Sequence, residues 1–255
     1  MRYLDRNLVK MFRLSDIIAA IGFLTRIPVG DGDSPSQAEG AWAWVVAGCV
    51  VGLIAGTAAA VVLALSSSPI LGAICGLIVL VLLTGGLHED GLADTADGLW
   101  GGDSPSRRLE IMHDSRIGAY ACMALTIVFL ARFAGIAEAS GSFNPIAVFT
   151  ASAVVSRAVM LVSMHLVPFA REDGMAVAFG RPPARAAAAG AALAAIIALI
   201  CVGLQAFPMI LAAALAGAAL GFAVHRLTGG HTGDSLGATQ QVAEIACLLC
   251  LAAYA

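Results

Sequence analysis

Long uncharged stretches alternate with polar segments along most of the chain. The first runs from Ala41 to Leu65, 25 residues without a charged side chain, and the second, from Ile70 to Leu87, has 18. A helix needs about 20 apolar residues to cross a hydrocarbon core of about 30 Å. Further stretches of comparable length are Ile117–Ala139, Pro145–Val167, Ala186–Gln205, Phe207–His225 and about Gly237–Ala255. The pattern predicts an all-α, polytopic helical bundle with about six to eight membrane spans.

Two parts of the chain fit this pattern less well. The last stretch is the weakest, because Thr239, Gln240, Gln241 and Glu244 crowd its start. The segment from Asp16 to Pro28 is too short to cross, so we expect a short or re-entrant piece. Basic residues interrupt the apolar positions of the N-terminus, as expected for an interfacial helix. We therefore interpret residues 1–40 as an N-terminal interfacial or re-entrant segment of a single membrane-embedded domain, residues 1–255.

The composition supports a membrane protein. Hydrophobic residues make up 60% of the chain and charged residues only 12%, with a mean hydropathy of +0.90. Soluble domains usually carry about 25% charged residues, so the composition indicates an integral membrane protein rather than a large soluble core. The six cysteines all lie in apolar runs, which indicates small buried side chains rather than a disulfide framework.

The basic residues are confined to alternate loops. Twelve of the fourteen lie in residues 1–40, 88–116, 168–185 and 226–236, and none lies in the short neutral loops. By the positive-inside rule, these four charged segments face the cytoplasm. The sequence therefore predicts a multi-pass protein of the cytoplasmic (inner) membrane, with its polar motif loops on the cytoplasmic face.

One of the charged segments, GGLHEDGLADTADGLWGG at residues 85–102, is unusually acidic. On a helix, Asp90, Asp94 and Asp97 stand at i, i+4 and i+7 and share one face, with Glu89 about one position round. Clustered carboxylates suit Mg²⁺, with Mn²⁺ as an alternative, and such ions often bridge to phosphates. A solvated acidic loop capping a membrane helix stays open as the simpler interpretation. His88 is either a ligand or general base, or a residue of the membrane surface.

Two further polar segments belong to the same predicted face. MHDSRIGAYA, from Met112, contains Arg116, which suits phosphate oxygens, and Asp114, which either completes a metal site or pairs with Arg116. GGHTGDSLGA, from Gly229, contains Thr232 and Asp234 and can bind phosphate through backbone N–H groups at the start of the last helix.

Two arginines fall inside predicted spans. Because a charge in the membrane is costly, Arg132 and Arg157 are expected either to be functional or to pair with Glu138 or Glu244. Arg157 also has the position expected of a residue that faces a polar cavity beneath the acids.

Five segments together resemble the cobalamin synthase family, adenosylcobinamide-GDP ribazoletransferase. They are FLTRIPVG (23–30), GGLHEDGLADTADG (85–98), MHDSRIG (112–118), PFAREDGM (168–175) and GGHTGDSLGA (229–238). The resemblance implies a Mg²⁺-dependent membrane enzyme that joins adenosylcobinamide-GDP to α-ribazole or α-ribazole 5′-phosphate and releases GMP. It implies no nucleic-acid partner, and it is compatible with a homo-oligomer or with association with other cobalamin-assembly enzymes.

The resemblance also carries residue roles onto this chain. The acidic motif supplies the candidate catalytic residues His88, Glu89, Asp90, Asp94 and Asp97, of which the four carboxylates are the candidate metal ligands. The later motifs supply the candidate substrate-binding residues Arg26, Asp114, Arg116, Arg171 and Asp234. Two further candidates come from the residues alone, Arg157 from its position inside a span and Thr232 from the polar segment before the last helix. Phe169 replaces the tyrosine of the family's PYAR segment, so a hydroxyl is dispensable there or is supplied by another residue.

Two other functions remain open from the residues alone. One is a membrane phosphotransferase acting on a lipid alcohol. The other is a transporter whose acids bind a coupling cation, although such acids would be expected near the middle of spans rather than at their cytoplasmic ends.

Overall fold

The computed structural model describes residues 12–29 and 37–255 and is built from helices. Most of the predicted N-terminal interfacial helix, residues 1–11, lies outside the described residues. A 3₁₀ turn, Glu39–Ala43, leads into the second helix. The α-helices are α1 Leu14–Leu24, α2 Trp44–Ser66, α3 Pro69–Thr84, α4 Leu87–Gly101, α5 Pro105–Ile111, α6 Ala119–Ala139, α7 Pro145–Leu166, α8 Met175–Phe179, α9 Ala184–Val202, α10 Ala206–Thr228 and α11 Gly233–Ala252.

The helix lengths confirm the predicted multi-pass membrane bundle. Five helical stretches of the described residues are long and apolar enough to cross a membrane, or six if α3 and α4 count as one bent span. The longest of them, Ala184–Thr228, has 45 residues and contains α9 and α10 on either side of a break at Gly203. A continuous helix of that length would measure about 68 Å, more than twice the hydrocarbon core. The stretch therefore corresponds to the two spans predicted there.

Helix α7 lies at the centre of the bundle, where α2, α9 and α11 pack around it. Its contact with α2 is close because Gly48, Gly52 and Gly56 recur every four residues on the facing side of α2. A Cβ atom at Gly52 would lie 2.5 Å from the Thr150 Cα of α7. Small residues at this spacing let two membrane helices approach backbone to backbone, where dispersion rather than the hydrophobic effect stabilises them.

The predicted span from Ile70 to Leu87 is interrupted. Helix α3 ends at Thr84, and the axis of α4 then turns by 86°. Gly85 and Gly86 have φ angles of +66° and +72°, a left-handed conformation that glycine adopts without the usual steric cost. The acidic motif therefore forms its own helix, packed against α6 and α11, rather than the end of a straight span.

The polar loops lie together at one end of the bundle. The Arg108 guanidinium donates to the Leu227 carbonyl (3.2 Å), and His231 exchanges backbone hydrogen bonds with the segment around Phe169. The predicted grouping of the motif loops on one face is thus present among the described residues.

Candidate active site

The acids of α4 point to different surroundings. His88, Glu89 and Asp97 are buried, Asp94 is half-buried and Asp90 is exposed. A helix packed on two sides presents residues one position apart to different neighbours. The four carboxylates predicted to act together are therefore divided among three environments.

Glu89 belongs to a buried ionic network. Its Oε1 atom accepts hydrogen bonds from the Arg132 guanidinium of α6 (2.7 Å) and from the Gln241 amide of α11 (3.1 Å). Arg132 also donates to Glu244 (3.2 Å) and to Gln241 (3.0 Å). Of the two partners considered for Arg132, the pair with Glu244 is the one that forms. Glu89 thus ties α4 to α6 and α11 on the side away from Asp90.

The network continues towards the central helix α7. Gln240 donates to the Ser156 hydroxyl (3.0 Å) and hydrogen-bonds Glu244. Arg157 is fully buried nearby and donates to the carbonyl of Ala153 in its own helix (3.1 Å). No ion pair joins Arg157 to a carboxylate among the described residues, but Glu244 and Glu89 are the acids whose charges act on it. Two buried carboxylates and two buried guanidinium groups thus balance each other.

Asp97 caps helix α6. Its two carboxylate oxygens accept hydrogen bonds from the backbone N–H groups of Gly118 (2.6 Å) and Ala121 (2.9 Å). These donors have no partner within their own helix, and a carboxylate also interacts favourably with the positive end of the helix dipole. The structure therefore separates Asp97, as well as Glu89, from the predicted metal-binding face.

We expect Asp97→Asn to affect stability more than chemistry. The change removes the charge and one of the two acceptors, so the free energy of unfolding should fall by about 1–2 kcal/mol, the usual effect of losing a cap. Denaturation of the purified protein in detergent measures this loss, and GMP release by the folded fraction should stay within about tenfold of the parent. A loss of turnover as complete as that of an Asp94 variant would instead make Asp97 part of the reacting centre.

Asp90, Asp94 and Asp234 form the remaining acidic group, which we call the acidic face. Asp234 lies in the first turn of α11, and Gly91 of α4 permits the close approach, because a Cβ atom there would lie 2.6 Å from the Asp234 carbonyl oxygen. The charges that act most strongly on Asp94 are those of Asp90, Asp234 and Asp97, and all of them are negative. Two helices that are distant in the sequence thus lie close enough for their carboxylate charges to act on one another.

The start of α11 is held in shape by its own cap. The Thr232 hydroxyl accepts from the backbone N–H of Ser235 (3.2 Å), and the Ser235 hydroxyl accepts from the backbone N–H of Thr232 (2.8 Å). Thr232 also donates to the Asp234 carboxylate (3.3 Å). Thr232 therefore orients Asp234 in addition to ending the preceding loop.

Basic residues from two loops border the acidic face. The Arg171 guanidinium lies 3.2 Å from His113 Nδ1 and also donates to the Leu109 carbonyl, and the charges of both Arg171 and His113 act on Asp234. Arg26 lies at the bend between α3 and α4. Its backbone N–H donates to the Leu83 carbonyl (2.7 Å), and its side chain lies against Gly85.

Asp114 and Arg116 pair with each other. The guanidinium donates to both carboxylate oxygens, and this hydrogen bonding lowers the pKa of Asp114 from 3.8 to about 2. Of the two roles open for Asp114, pairing with Arg116 is the one seen.

The pKa of His231, in the loop before α11, is lowered to about 4, chiefly because burial disfavours its charged form. His231 is therefore neutral at pH 7.

The acidic face suits a divalent cation that shares its coordination with a substrate. No three His, Cys, Asp or Glu side chains of the described segments converge as a complete metal site. Mg²⁺, however, is usually held by one or two carboxylates, waters and substrate phosphates. Asp90, Asp94 and Asp234 supply hard oxygen donors, and the charges that act on Asp94 are all negative, so the residues present fit such an ion.

A cavity of about 90 Å³ adjoins the acidic face, and Asp90, Asp234 and His88 form its polar end. The Nε2 atom of His88 is buried without a hydrogen-bond partner. A much larger cavity of about 480 Å³ lies between α7, α9 and α10, but its walls are almost wholly apolar and include none of the acids. Volume alone would therefore point to the wrong place for chemistry.

Sequence reasoning did not assign roles to several residues of this region. Gln240, Gln241 and Ser156 join the ionic network, and His113 contacts Arg171. The signal for the glutamines was the polar cluster at the start of the last span, since amides inside a membrane helix need internal partners. Nothing in the local pattern marked His113 or Ser156.

Comparisons with known proteins agree on one family. The family model described as cobalamin-5-phosphate synthase matches residues 16–252. The chain is 39% identical to a protein of Bradyrhizobium diazoefficiens, with 94% of each chain covered, and 41% identical to one of Azorhizobium caulinodans, with 95% of this chain and 97% of the relative covered. Both relatives carry the name adenosylcobinamide-GDP ribazoletransferase. No solved structure matches the chain. A family match over nearly the whole length, together with the helical membrane fold, leads to one conclusion: the chain belongs to the cobalamin-5-phosphate synthase family.

Proposed function

We propose that this protein transfers the adenosylcobinamide phosphoryl group from adenosylcobinamide-GDP to α-ribazole, or to α-ribazole 5′-phosphate, and releases GMP. The product is adenosylcobalamin or its 5′-phosphate. The observation that carries the proposal is the acidic face, in which α4 and α11 bring Asp90, Asp94 and Asp234 together beside Arg171. The curated relatives are named for this donor and this acceptor class.

The reaction is a displacement at phosphorus. A ribose hydroxyl oxygen of the acceptor bonds to the phosphorus that carries cobinamide, and the bond from that phosphorus to the bridging oxygen breaks, so that GMP leaves with the bridging oxygen. Asp90 or Asp94 accepts the hydroxyl proton. Arg171 and the N-terminus of α11 bind non-reacting phosphate oxygens. A bound Mg²⁺, or Mn²⁺, held by Asp90, Asp94 and Asp234, supplies charge neutralisation for the diphosphate and the leaving GMP.

The orientation follows from the charges. The basic residues of the polar loops favour the cytoplasmic side of the inner membrane, where nucleotide-activated substrates are found. Self-association, or association with other cobalamin-assembly enzymes, stays a prediction.

We expect the protein, purified in detergent, to release GMP only when adenosylcobinamide-GDP, α-ribazole and a divalent cation are all present. Removal of metal by EDTA should abolish turnover, and Mg²⁺ or Mn²⁺ should restore it, because like-charged groups must otherwise meet at the acidic face. Chromatographic separation of GMP and the cobamide product measures the reaction. Full turnover in EDTA would remove the metal from the mechanism.

The same assay separates the two other functions. A phosphotransferase acting on a lipid alcohol would form product without adenosylcobinamide-GDP when lipid substrates are supplied. A cation-coupled transporter would accumulate substrate in sealed proteoliposomes but show no turnover in detergent. The position of Asp90, Asp94 and Asp234 near the polar loops argues against the transporter, whose coupling acids would be expected near the middle of spans.

A further inference from the structure

The cavity of about 90 Å³ beside the acidic face has two chemically different ends. We call it the apolar cavity, because most of its walls are hydrophobic. Its polar end consists of Asp90, Asp234 and His88, together with backbone of α4 and α11. The rest of the lining is hydrophobic and includes three aromatic side chains and three methionines, Phe23, Trp44, Phe179, Met160, Met164 and Met175.

The aromatic side chains form one continuous wall, although they come from three separate elements. The rings of Phe23 and Trp44 stack with their centroids 6.2 Å apart, and Phe179 lies 4.9 Å from Trp44. Flat rings and thioethers are the side chains that best complement another flat ring, through offset or edge contacts and sulfur–aromatic contacts. Methionine also adapts its shape to an occupant, because its side chain is unbranched and flexible.

Two lining residues remain exposed in spite of their apolar character. Phe23 is 41% exposed and Met175 is 61% exposed. Both would bury apolar surface if a ring system entered the cavity, which would contribute to its binding. Asp90 and Asp234 line the same cavity, so one molecule can occupy the apolar end and reach the reacting centre.

We propose that the apolar cavity binds the fused aromatic base of the acceptor nucleoside and directs a ribose hydroxyl towards Asp90 and Asp234. This inference rests on the proposed function. Among the groups that the two substrates present, the diphosphate is charged, guanine is strongly polar, and the corrin ring with its amides exceeds a cavity of this size. The benzimidazole of α-ribazole is flat and mostly apolar, so it is the group that matches these walls.

The test varies the base and the cavity together. Nucleosides with dimethylbenzimidazole, benzimidazole and imidazole bases form a series of decreasing apolar size. In the parent protein the KM for the acceptor should rise by about tenfold or more at each step, because each lost hydrocarbon fragment removes contact with the walls. Met175→Ala should raise the KM for α-ribazole about tenfold and reduce the differences in KM among the three bases. The KM for adenosylcobinamide-GDP should change less than twofold.

Ile127→Ala provides the matched control. Ile127 is 65% exposed, which is close to the 61% of Met175, but it lies on α6 and does not line the cavity. Equal acceptor KM values across the base series, or a Met175→Ala effect confined to the donor KM, would overturn the inference while leaving the transferase activity intact.

Equilibrium dialysis of α-ribazole without donor makes the test independent of turnover. Binding that is about tenfold weaker in Met175→Ala than in Ile127→Ala supports the inference, and equal binding contradicts it. Absence of GMP release from the parent protein would instead contradict the proposed function.

Discussion

Replacing Asp94 by Asn will lower the rate of GMP release by about 10³-fold while the protein remains folded in the membrane. The substitution preserves the shape of the side chain but removes a negative charge from the acidic face, and preorganised charge of this kind often contributes 10²–10³ in rate. Asp90→Asn and Asp234→Asn should have similar effects, since the charges of both carboxylates act on Asp94. GMP release at saturating substrates and Mg²⁺ is the measurement.

The matched control is Asp103→Asn, which removes an exposed carboxylate from the same charged segment. It should retain the parent rate. Higher Mg²⁺ concentrations should partly restore Asp90→Asn or Asp234→Asn if their main defect is weaker metal binding. Full activity of Asp94→Asn at the parent's Mg²⁺ requirement would falsify its assignment to the reacting centre.

Replacing Arg132 by Met will lower the free energy of unfolding by about 3–5 kcal/mol. Arg132 is completely buried and contacts both Glu89 and Glu244, so its loss leaves two buried carboxylates against one remaining buried guanidinium, that of Arg157. Breaking a buried pair is costly because the remaining charge is neither hydrated nor compensated. Denaturation of the purified protein in detergent micelles, followed by circular dichroism, measures the change.

Two further variants test the cause. Adding Glu89→Gln to Arg132→Met should recover part of the lost stability, because one fewer buried carboxylate is left without a cation. Arg107→Gln removes an exposed guanidinium that pairs with Glu110 on the surface and should change stability by less than about 1 kcal/mol. Equal losses of unfolding free energy in Arg132→Met and Arg107→Gln would show that the buried network contributes no more to stability than a surface ion pair.

The hydrophobic pattern determined much of the architecture. A stretch such as Pro145–Val167 is long and apolar enough to cross a membrane whatever its neighbours are, and a spanning chain must satisfy its backbone internally as helix. The helical spacing of Asp90, Asp94 and Asp97 and the concentration of polar motifs in alternate loops were likewise readable from the chain. The motifs, taken together, identified the family that the comparisons confirm.

The bend and the roles of individual acids depended on contacts that local patterns do not contain. Gly85 and Gly86 end an apolar run that looks continuous in a hydropathy profile. Hydropathy does not report backbone conformation, so the profile does not show the left-handed turn. Helical spacing placed Asp97 with Asp90, but the nearby N-terminus of α6 provides donors for Asp97.

The sequence by itself thus determined the all-α membrane bundle, the segment that carries the acids, and the family. Only the tertiary structure separated Glu89 from Asp90 and joined Asp90 to Asp234. The reason is that periodicity assigns a residue to a face of its helix, whereas the free energy of burying a charge depends on what that face meets. For Glu89 the partners include Gln241, 152 residues away along the chain.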